Sequence, residues 1–254
     1  NYLTVHFIDV GQGDSILLIL PDGKNVLLDT GIQPAGPHIV KYLKDHQIKH
    51  INHLISTHPH DDHIGGIFSI ASEFEIDNYY DNGFSNFSST LYRDYIKLVR
   101  GNKTKYNILQ AGDSFTLGDT RIDILNPLLP PTGNLNEDSV VVKLVFGRIN
   151  ILLSGDLGNP GERRLINKAG PALASQILKT GHHGDRRSVS DDFLKAVKPE
   201  AAIISVGSIN KYGHPHKEIL DRLRKNGINI YRTDQNGNIV LKTDGRTYSI
   251  QTEK

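Results

Sequence analysis

The chain has 254 residues, enough for a sizeable core in one large domain or two small ones. It carries a net charge of +1 and no Cys, which excludes disulfides and thiolate metal ligands and leaves the redox compartment open. No apolar run approaches ~18 residues, which excludes a helical membrane span in this chain. Leu3 to Val10 reads as a strand. Ser15 to Leu20 reads as a second, nearly all-apolar one, beyond the turn Gly11-Gln12-Gly13-Asp14. Pro21-Asp22-Gly23-Lys24 is a hairpin signal leading to a strand at Asn25 to Leu28. Asp29 ends that strand, where a carboxylate suits a partner that orients a metal-bound His. The plain alternative is a local turn hydrogen bond. A helix is expected over His38 to His46, after Pro37. His38, His46, His50 and His53 lack ligand spacing with carboxylates and read as surface or core residues.

The stretch Thr57-His58-Pro59-His60-Asp61-Asp62-His63-Ile64-Gly65-Gly66 follows His53-Leu54-Ile55-Ser56, which reads as a buried strand. His58, His60, Asp62 and His63 therefore sit on a strand-end loop at the spacing H-x-H-x-D-H. Imidazole nitrogen and carboxylate oxygen together suit Zn, Mn or Fe. In extended chain His58 and His60 point the same way, because side chains alternate. One turn on, Asp62 and His63 can point elsewhere, which suits a second ion. A merely solvated loop is the alternative, and further ligand candidates downstream weigh against it. A short helix is expected over Gly66 to Glu73. Residues 75–110 read as less regular, with a helix from Thr90 to Val99 and the aromatics Tyr79, Tyr80, Phe84, Phe87, Tyr92 and Tyr95. Such a segment can wall a site and stack on a ring or base, or it can simply be core.

Strands return at Ser114–Leu117 and Arg121–Leu125, and a loop at Pro127 to Glu137 precedes a hairpin of Ser139–Phe146 with Asn150–Leu153. The second hairpin strand ends in Ser154-Gly155-Asp156-Leu157, placing Asp156 where a metal-bridging carboxylate would stand. A helix over Gly161 to Ala169 leads to a strand at Ala174 to Leu178. That strand ends in Lys179-Thr180-Gly181-His182-His183-Gly184, a third strand-end ligand candidate. The remainder alternates: helix Asp191–Val197, strand Ala201–Ser205, helix Lys217–Asn226, then strands Asn229–Thr233, Gly237–Lys242 and Thr247–Gln251. Lys211-Tyr212-Gly213-His214-Pro215-His216 adds two imidazoles on a loop, or is a helix-entry turn. No linker or low-complexity run divides residues 1–254, which read as one domain of two sheets with helices on their outer faces. Charge is uneven: residues 1–127 hold 10 Lys and Arg against 15 Asp and Glu, and residues 128–254 hold 19 against 13. Metal ligands account for part of the acidic excess, and the basic half suits an anionic substrate; ordinary scatter of surface charge explains the asymmetry as well.

H-x-H-x-D-H after a strand, Ser154-Gly155-Asp156 and a later strand-end His resemble the metallo-β-lactamase superfamily. Phe7-Ile8-Asp9-Val10-Gly11-Gln12-Gly13-Asp14, Gly181-His182-His183-Gly184, Tyr212-Gly213-His214-Pro215-His216 and Tyr231-Arg232-Thr233-Asp234 extend the likeness. With them it is similar to the C-terminal hydrolase domain of the competence protein ComEC family, from about residue 3 to 250. The resemblance implies an αββα sandwich of two mixed sheets with helices on the outer faces, and two divalent metal ions, Zn or Mn, at one edge. It implies His58 and His60 on the first ion, Asp62 and His63 on the second, Asp156 between them, and one of His182 and His183 as the last ligand. Asp29 is implied as the orienting carboxylate. Where many members place a third His on the first ion, this chain has Asn134-Leu135-Asn136-Glu137-Asp138-Ser139. The first site is therefore expected to be weak, or completed by water or Asn136.

The implied chemistry is attack of a metal-bound hydroxide on phosphorus, between ions ~3.5–4 Å apart. Asp62, His183 and His214 are the catalytic candidates, with His183 or His214 protonating the leaving oxygen or bonding a phosphoryl oxygen. Lys179, Arg186, Arg187 and Lys211 are candidates for further phosphates. The expected function is a DNA phosphodiesterase or nuclease in competence-type uptake or scavenging, beside a membrane channel protein. A small phosphoester hydrolase, for a choline-phosphate or nucleotide ester caged by the aromatics of 79–95, is the second reading. A lactamase or lactonase is a poorer one, because Cys and the third His are missing. A metal-binding module without catalysis is the non-enzyme reading. Neither a secretory signal nor an initial Met is present, as processing or trimming would leave it. The family and the lack of Cys favour an extracytoplasmic setting.

Overall fold

A computed structural model describes residues 2–101 and 104–254. The chain opens with β1 (Leu3–Phe7), β2 (Ile16–Ile19) and β3 (Asn25–Leu28). Helix α1 (Gly36–Asp45), β4 (Ile51–Ile55), the single turn α2 (Asp61–Ile64) and α3 (Ile67–Glu73) follow. Next come β5 (Ile76–Asp81), α4 (Thr90–Gly101) and β6 (Lys105–Ile108). The second run is β7 (Ser114–Leu117), β8 (Thr120–Asn126), β9 (Val141–Phe146), β10 (Ile149–Leu153), α5 (Asn159–Ala169) and β11 (Ile177–Lys179). It continues with α6 (Asp191–Val197), β12 (Ala201–Ile204), α7 (Lys217–Lys225), β13 (Asn229–Arg232) and the turn α8 (Thr233–Asn236). β14 (Ile239–Thr243) and β15 (Tyr248–Thr252) close the chain.

Two mixed sheets result, ordered β15-β14-β1-β2-β3-β4-β5-β6 and β13-β12-β11-β10-β9-β8-β7. Period-two alternation sorts each strand's side chains. Ile16 and Leu18 face the space between the sheets, with Val5, Phe7, Leu28, Val142, Ile151 and Leu153. Leu17, between them, faces α1, α3 and α4 with Leu27, Ile39, Leu43, Ile70 and Tyr95. In the second sheet Leu152 turns outward to the α5, α6 and α7 layer, against Leu165, Phe193, Leu194, Ile219 and Leu223. Each such side chain contributes roughly 1.5–3 kcal/mol on full burial. The expected αββα sandwich is the observed one.

Two strands lie in the stretch read as irregular. β5 pairs parallel with β4, Leu54 opposite Tyr79, and β6 pairs parallel with β5. Tyr79, Tyr92 and Tyr95 are buried in the helix layer, so these three are core and do not wall a site; of the segment's six aromatics Phe87 alone is widely exposed. The strand expected from Ala174 starts at Ile177, because Gly170–Leu173 forms a tight turn first. No helix among the described residues is long and apolar enough to cross a membrane.

The parallel strands place the chemistry. β3 and β4 run side by side, Leu28 opposite Ile55, and Asp29 N donates to the Ile55 carbonyl at 2.8 Å. β10, β11 and β12 also run parallel, Leu153 opposite Lys179 and Lys179 opposite Ile203. Their C-terminal ends open on the same edge of the sandwich, where open α/β sheets bind ligands.

Candidate metal centre

Asp29 turns sharply off β3 with φ of 56°, a left-handed conformation that Asp tolerates. One carboxylate oxygen accepts from Thr57 N at 2.7 Å. The other accepts from Thr57 Oγ1 at 2.7 Å and from His63 Nδ1 at 2.8 Å. The expected orienting role of Asp29 thus has its geometry: the Nδ1 proton is held, and His63 Nε2 carries its lone pair inward. His183 is arranged the same way, with Nδ1 3.0 Å from the Ser205 carbonyl. His63 Nε2, His183 Nε2 and Asp156 Oδ1 are buried atoms without a hydrogen-bond partner.

These atoms converge. Asp156 Oδ2 lies 3.3 Å from His63 Nε2, 3.5 Å from His183 Nε2, 3.8 Å from His58 Nε2 and 3.9 Å from His182 Nε2. Asp62 Oδ2 lies 3.4 Å from His183 Nε2. His58 Nε2 and His60 Nδ1 approach to 2.8 Å, which brings a second pair of ring nitrogens together beside Asp156. The groups His58, His63 and Asp156, and Asp62, His63 and His183, each have the spacing to hold an ion. Buried nitrogen and oxygen donors without partners, closing on shared points, fit divalent cations by number and type. The pair left open by the sequence is separated: His183 is buried among the donors, and His182 sits half-buried on the pocket wall.

The electrostatics match. Burial opposes charge on His63, but Asp156 and Asp29 raise it well above the usual imidazole range. Burial likewise opposes charge on His183, and Asp156, Asp14 and Asp62 raise it to about 10. Asp156 is raised by burial but held well below the carboxylate range by His183 and His63. A divalent ion competes for the lone pairs these protons use. His58 has the opposite shift, lowered by burial and by His63, so its ring is already neutral.

The pocket over these donors, about 390 Å³, has Asn86, Ser88 and Ser89 on one side and Tyr212 and His214 on the other. Asn136 lines it too, with a buried Oδ1 lacking a partner. His214 is buried, with Nε2 3.3 Å from Asp185 Oδ2 and Nδ1 without a partner.

Lys179 requires a correction. It is fully buried, ion-paired with Asp14, and donates to the Gly155 carbonyl at 3.0 Å. It stands behind the site and cannot meet a substrate phosphate. Arg186 and Lys211 are exposed: Arg186 lines a neighbouring cavity, and Lys211 Nζ stands 5.2 Å from the Tyr212 ring centre. Asp14, Gln12 and Ser139 were not singled out from the sequence. Asp14 Oδ1 is 3.5 Å from His183 Nδ1, and its backbone N donates to the Asp62 carbonyl at 3.3 Å. Gln12 lines the pocket with an unpartnered Nε2, and Ser139 Oγ accepts from Asp156 N at 3.2 Å. Two glycines make these approaches possible. A Cβ at Gly13 would lie 2.3 Å from the Asp62 carbonyl oxygen, and one at Gly181 2.2 Å from that of Leu157.

Comparison with known proteins agrees with this geometry. Residues 8–208 match the model of the metallo-beta-lactamase superfamily. ComE operon protein 3 of Bacillus subtilis is 30% identical over 97% of this chain, and competence protein ComA of Neisseria gonorrhoeae 32% identical over 93%. The chain spans 34% and 32% of those proteins, about a third of their length. The metallo-beta-lactamase fold protein YhfI of Bacillus subtilis superposes with a TM-score of 0.60 at 13% identity, covering 95% of this chain and all of that one. With the fold, the donor set of a metal-dependent hydrolase and the matched family model in agreement, the chain belongs to the metallo-beta-lactamase superfamily.

Proposed function

We propose that the chain is a phosphodiesterase that cleaves DNA, with two divalent ions, Zn or Mn, in a competence-type uptake or scavenging context beside a membrane channel protein and outside the cytoplasm. The observation that carries the reading is the Asp156 carboxylate, whose Oδ2 stands within 3.9 Å of four imidazole nitrogens. His58, His60 and Asp156 would hold one ion, with Asn136 of the pocket lining as a further donor. Asp62, His63, His183 and Asp156 would hold the other. When bound, such ions supply Lewis acidity toward a phosphoryl oxygen and make water easier to ionise. The chain's own groups do the rest. Gln12 Nε2 is a free donor for a non-bridging oxygen. His214, fixed through Nε2 by Asp185, has Nδ1 left to hold or take a proton. Arg186 offers charge for a further phosphate. Two curated relatives carry competence in their names or operon, which supports DNA as the polymer. The small-ester reading loses part of its support, because Tyr79, Tyr92 and Tyr95, three of the aromatics meant to cage that ester, are core.

The test is hydrolysis of labelled single- and double-stranded DNA with Mn or Zn added, beside chelator and His60→Ala. Cleavage that needs both metal and His60 is expected. Metal analysis of Asp156→Ala should show loss of bound ion relative to the parent. Metal retained without cleavage of any DNA would turn the reading to small phosphoesters; no bound metal in the parent would end it.

A further inference from the structure

We infer that a second cavity beside the metal pocket is a subsite for the phosphate and base next to the scissile bond, a role that rests on the phosphodiesterase reading. This cavity, about 590 Å³, shares His182, Tyr212 and His214 with the metal pocket and adds Arg186, Arg187 and His216. The two spaces are therefore contiguous across one wall of rings. Its only carboxylate, Asp185, is already engaged: Arg187 Nε donates to Oδ1 at 3.0 Å, and His214 Nε2 is 3.3 Å from Oδ2. Arg186 has no carboxylate within ion-pair distance among the described residues. Its backbone is fixed instead, N donating to His216 Nδ1 at 3.2 Å. The cavity thus presents an unspent guanidinium beside neutralised neighbours, which selects an anion.

The ring is placed with equal care. Tyr212 is 52% exposed, too much for a core aromatic, yet its loop is well braced. Asn210 Nδ2 donates to the Gly207 and His214 carbonyls at 2.9 Å each. Its Oδ1 accepts from His214 N at 2.9 Å and Tyr212 N at 3.2 Å. Tyr212 also stacks on His214, centroids 5.5 Å apart and planes 21° apart. An exposed ring on an organised loop, with a free guanidinium across the same cavity, matches what a nucleotide offers: a π-face and a phosphate.

Two readouts test it on the whole chain: kcat/KM for a thymidine hexamer against bis(p-nitrophenyl) phosphate, and anisotropy of a labelled thymidine decamer bound in chelator at several salt concentrations. Arg186→Ala and Tyr212→Ala should each lower kcat/KM for the hexamer at least about tenfold more than for the small diester, in line with base stacking measured by truncation. Arg186→Ala should also flatten the salt slope by about 0.7, one phosphate contact to a single strand. Equal losses on both substrates, or no loss on the hexamer, would overturn the subsite, as would a decamer that the parent chain does not bind. A parent that cleaves no diester yet binds the decamer with an Arg186-dependent slope would sink the phosphodiesterase reading and with it the subsite's place next to a scissile bond, leaving the cavity a single-strand binding site.

Discussion

At the scale of single residues, exposure decides what a charge can do. Lys179 in sequence is a lysine three positions before a glycine-flanked His pair, and its type suits a phosphate. In the fold it is sealed between the sheets with Asp14. Burial raises the Asp14 carboxyl, and Lys179 and His183 more than offset that, holding it below its usual value. A buried pair of this kind contributes little beyond what an apolar pair would, but breaking it leaves one charge stranded. Lys179→Met should therefore lower stability by about 3–5 kcal/mol in urea unfolding. The double variant Asp14→Asn with Lys179→Met should recover much of that loss, because no buried charge remains. A single variant within about 1 kcal/mol of the parent, the range of an exposed pair, would show that Lys179 is not a buried partner.

At the scale of elements, β1 and α1 share a buried imidazole. His6 bonds Tyr42 Oη through Nδ1 at 2.9 Å and Thr4 Oγ1 through Nε2 at 2.9 Å, with the His46 ring 4.8 Å away. Burial first, and then His46, lowers it to about 4. The unfolded chain binds this proton near pH 6.5 and the folded chain near 4, so the stability is whole above 6.5 and is lost as pH falls through that window. Between pH 7.5 and 5 the His6 share is about 2 kcal/mol. Urea unfolding of the metal-free protein at both values should show His6→Asn losing about that much less than the parent; equal losses would remove His6 as the cause. What sequence showed of the elements follows the same logic of faces. Ile16-Leu17-Leu18 and Ile151-Leu152-Leu153 are legible because each is apolar on both faces of a sandwiched sheet. Asp77-Asn78-Tyr79-Tyr80-Asp81 is not, because one Tyr faces the helices and the other the second sheet, while polar side chains flank the pair. In the site, His58 to His63 was legible as one run. Asp14 is legible only as part of the Phe7 to Asp14 stretch of the resemblance; its role is not, because its partners Lys179 and His183 lie 165 and more positions on.

At the scale of the molecule, the candidate metal donors come from both sheets. His58, His60, Asp62 and His63 follow β4 of the first sheet, whereas Asp156 and His183 follow β10 and β11 of the second. The Asp14–Lys179 pair crosses the same boundary, and the last strands, β14 and β15, return to pair beside β1. An ion held at Asp156 therefore joins the two sheets at the edge where the loops end their hydrogen-bonded ladders. Unfolding scatters the donors, so binding free energy adds to folding free energy. With free ion at a thousand times Kd the gain is about 4 kcal/mol. For a chain of this length that shifts the thermal midpoint by about 10 °C. Heating the parent with saturating Mn or Zn and with chelator should show that difference. Asp156→Ala should show almost none of it, and the metal-free variant should itself melt below the metal-free parent, because the buried His63 and His183 rings lose the carboxylate that holds their protons. A parent that holds metal by direct analysis yet melts at the same temperature with and without it would mean that the unfolded chain holds the ion equally well, as the local run His58 to His63 could, and that Asp156 and His183 do not close on it.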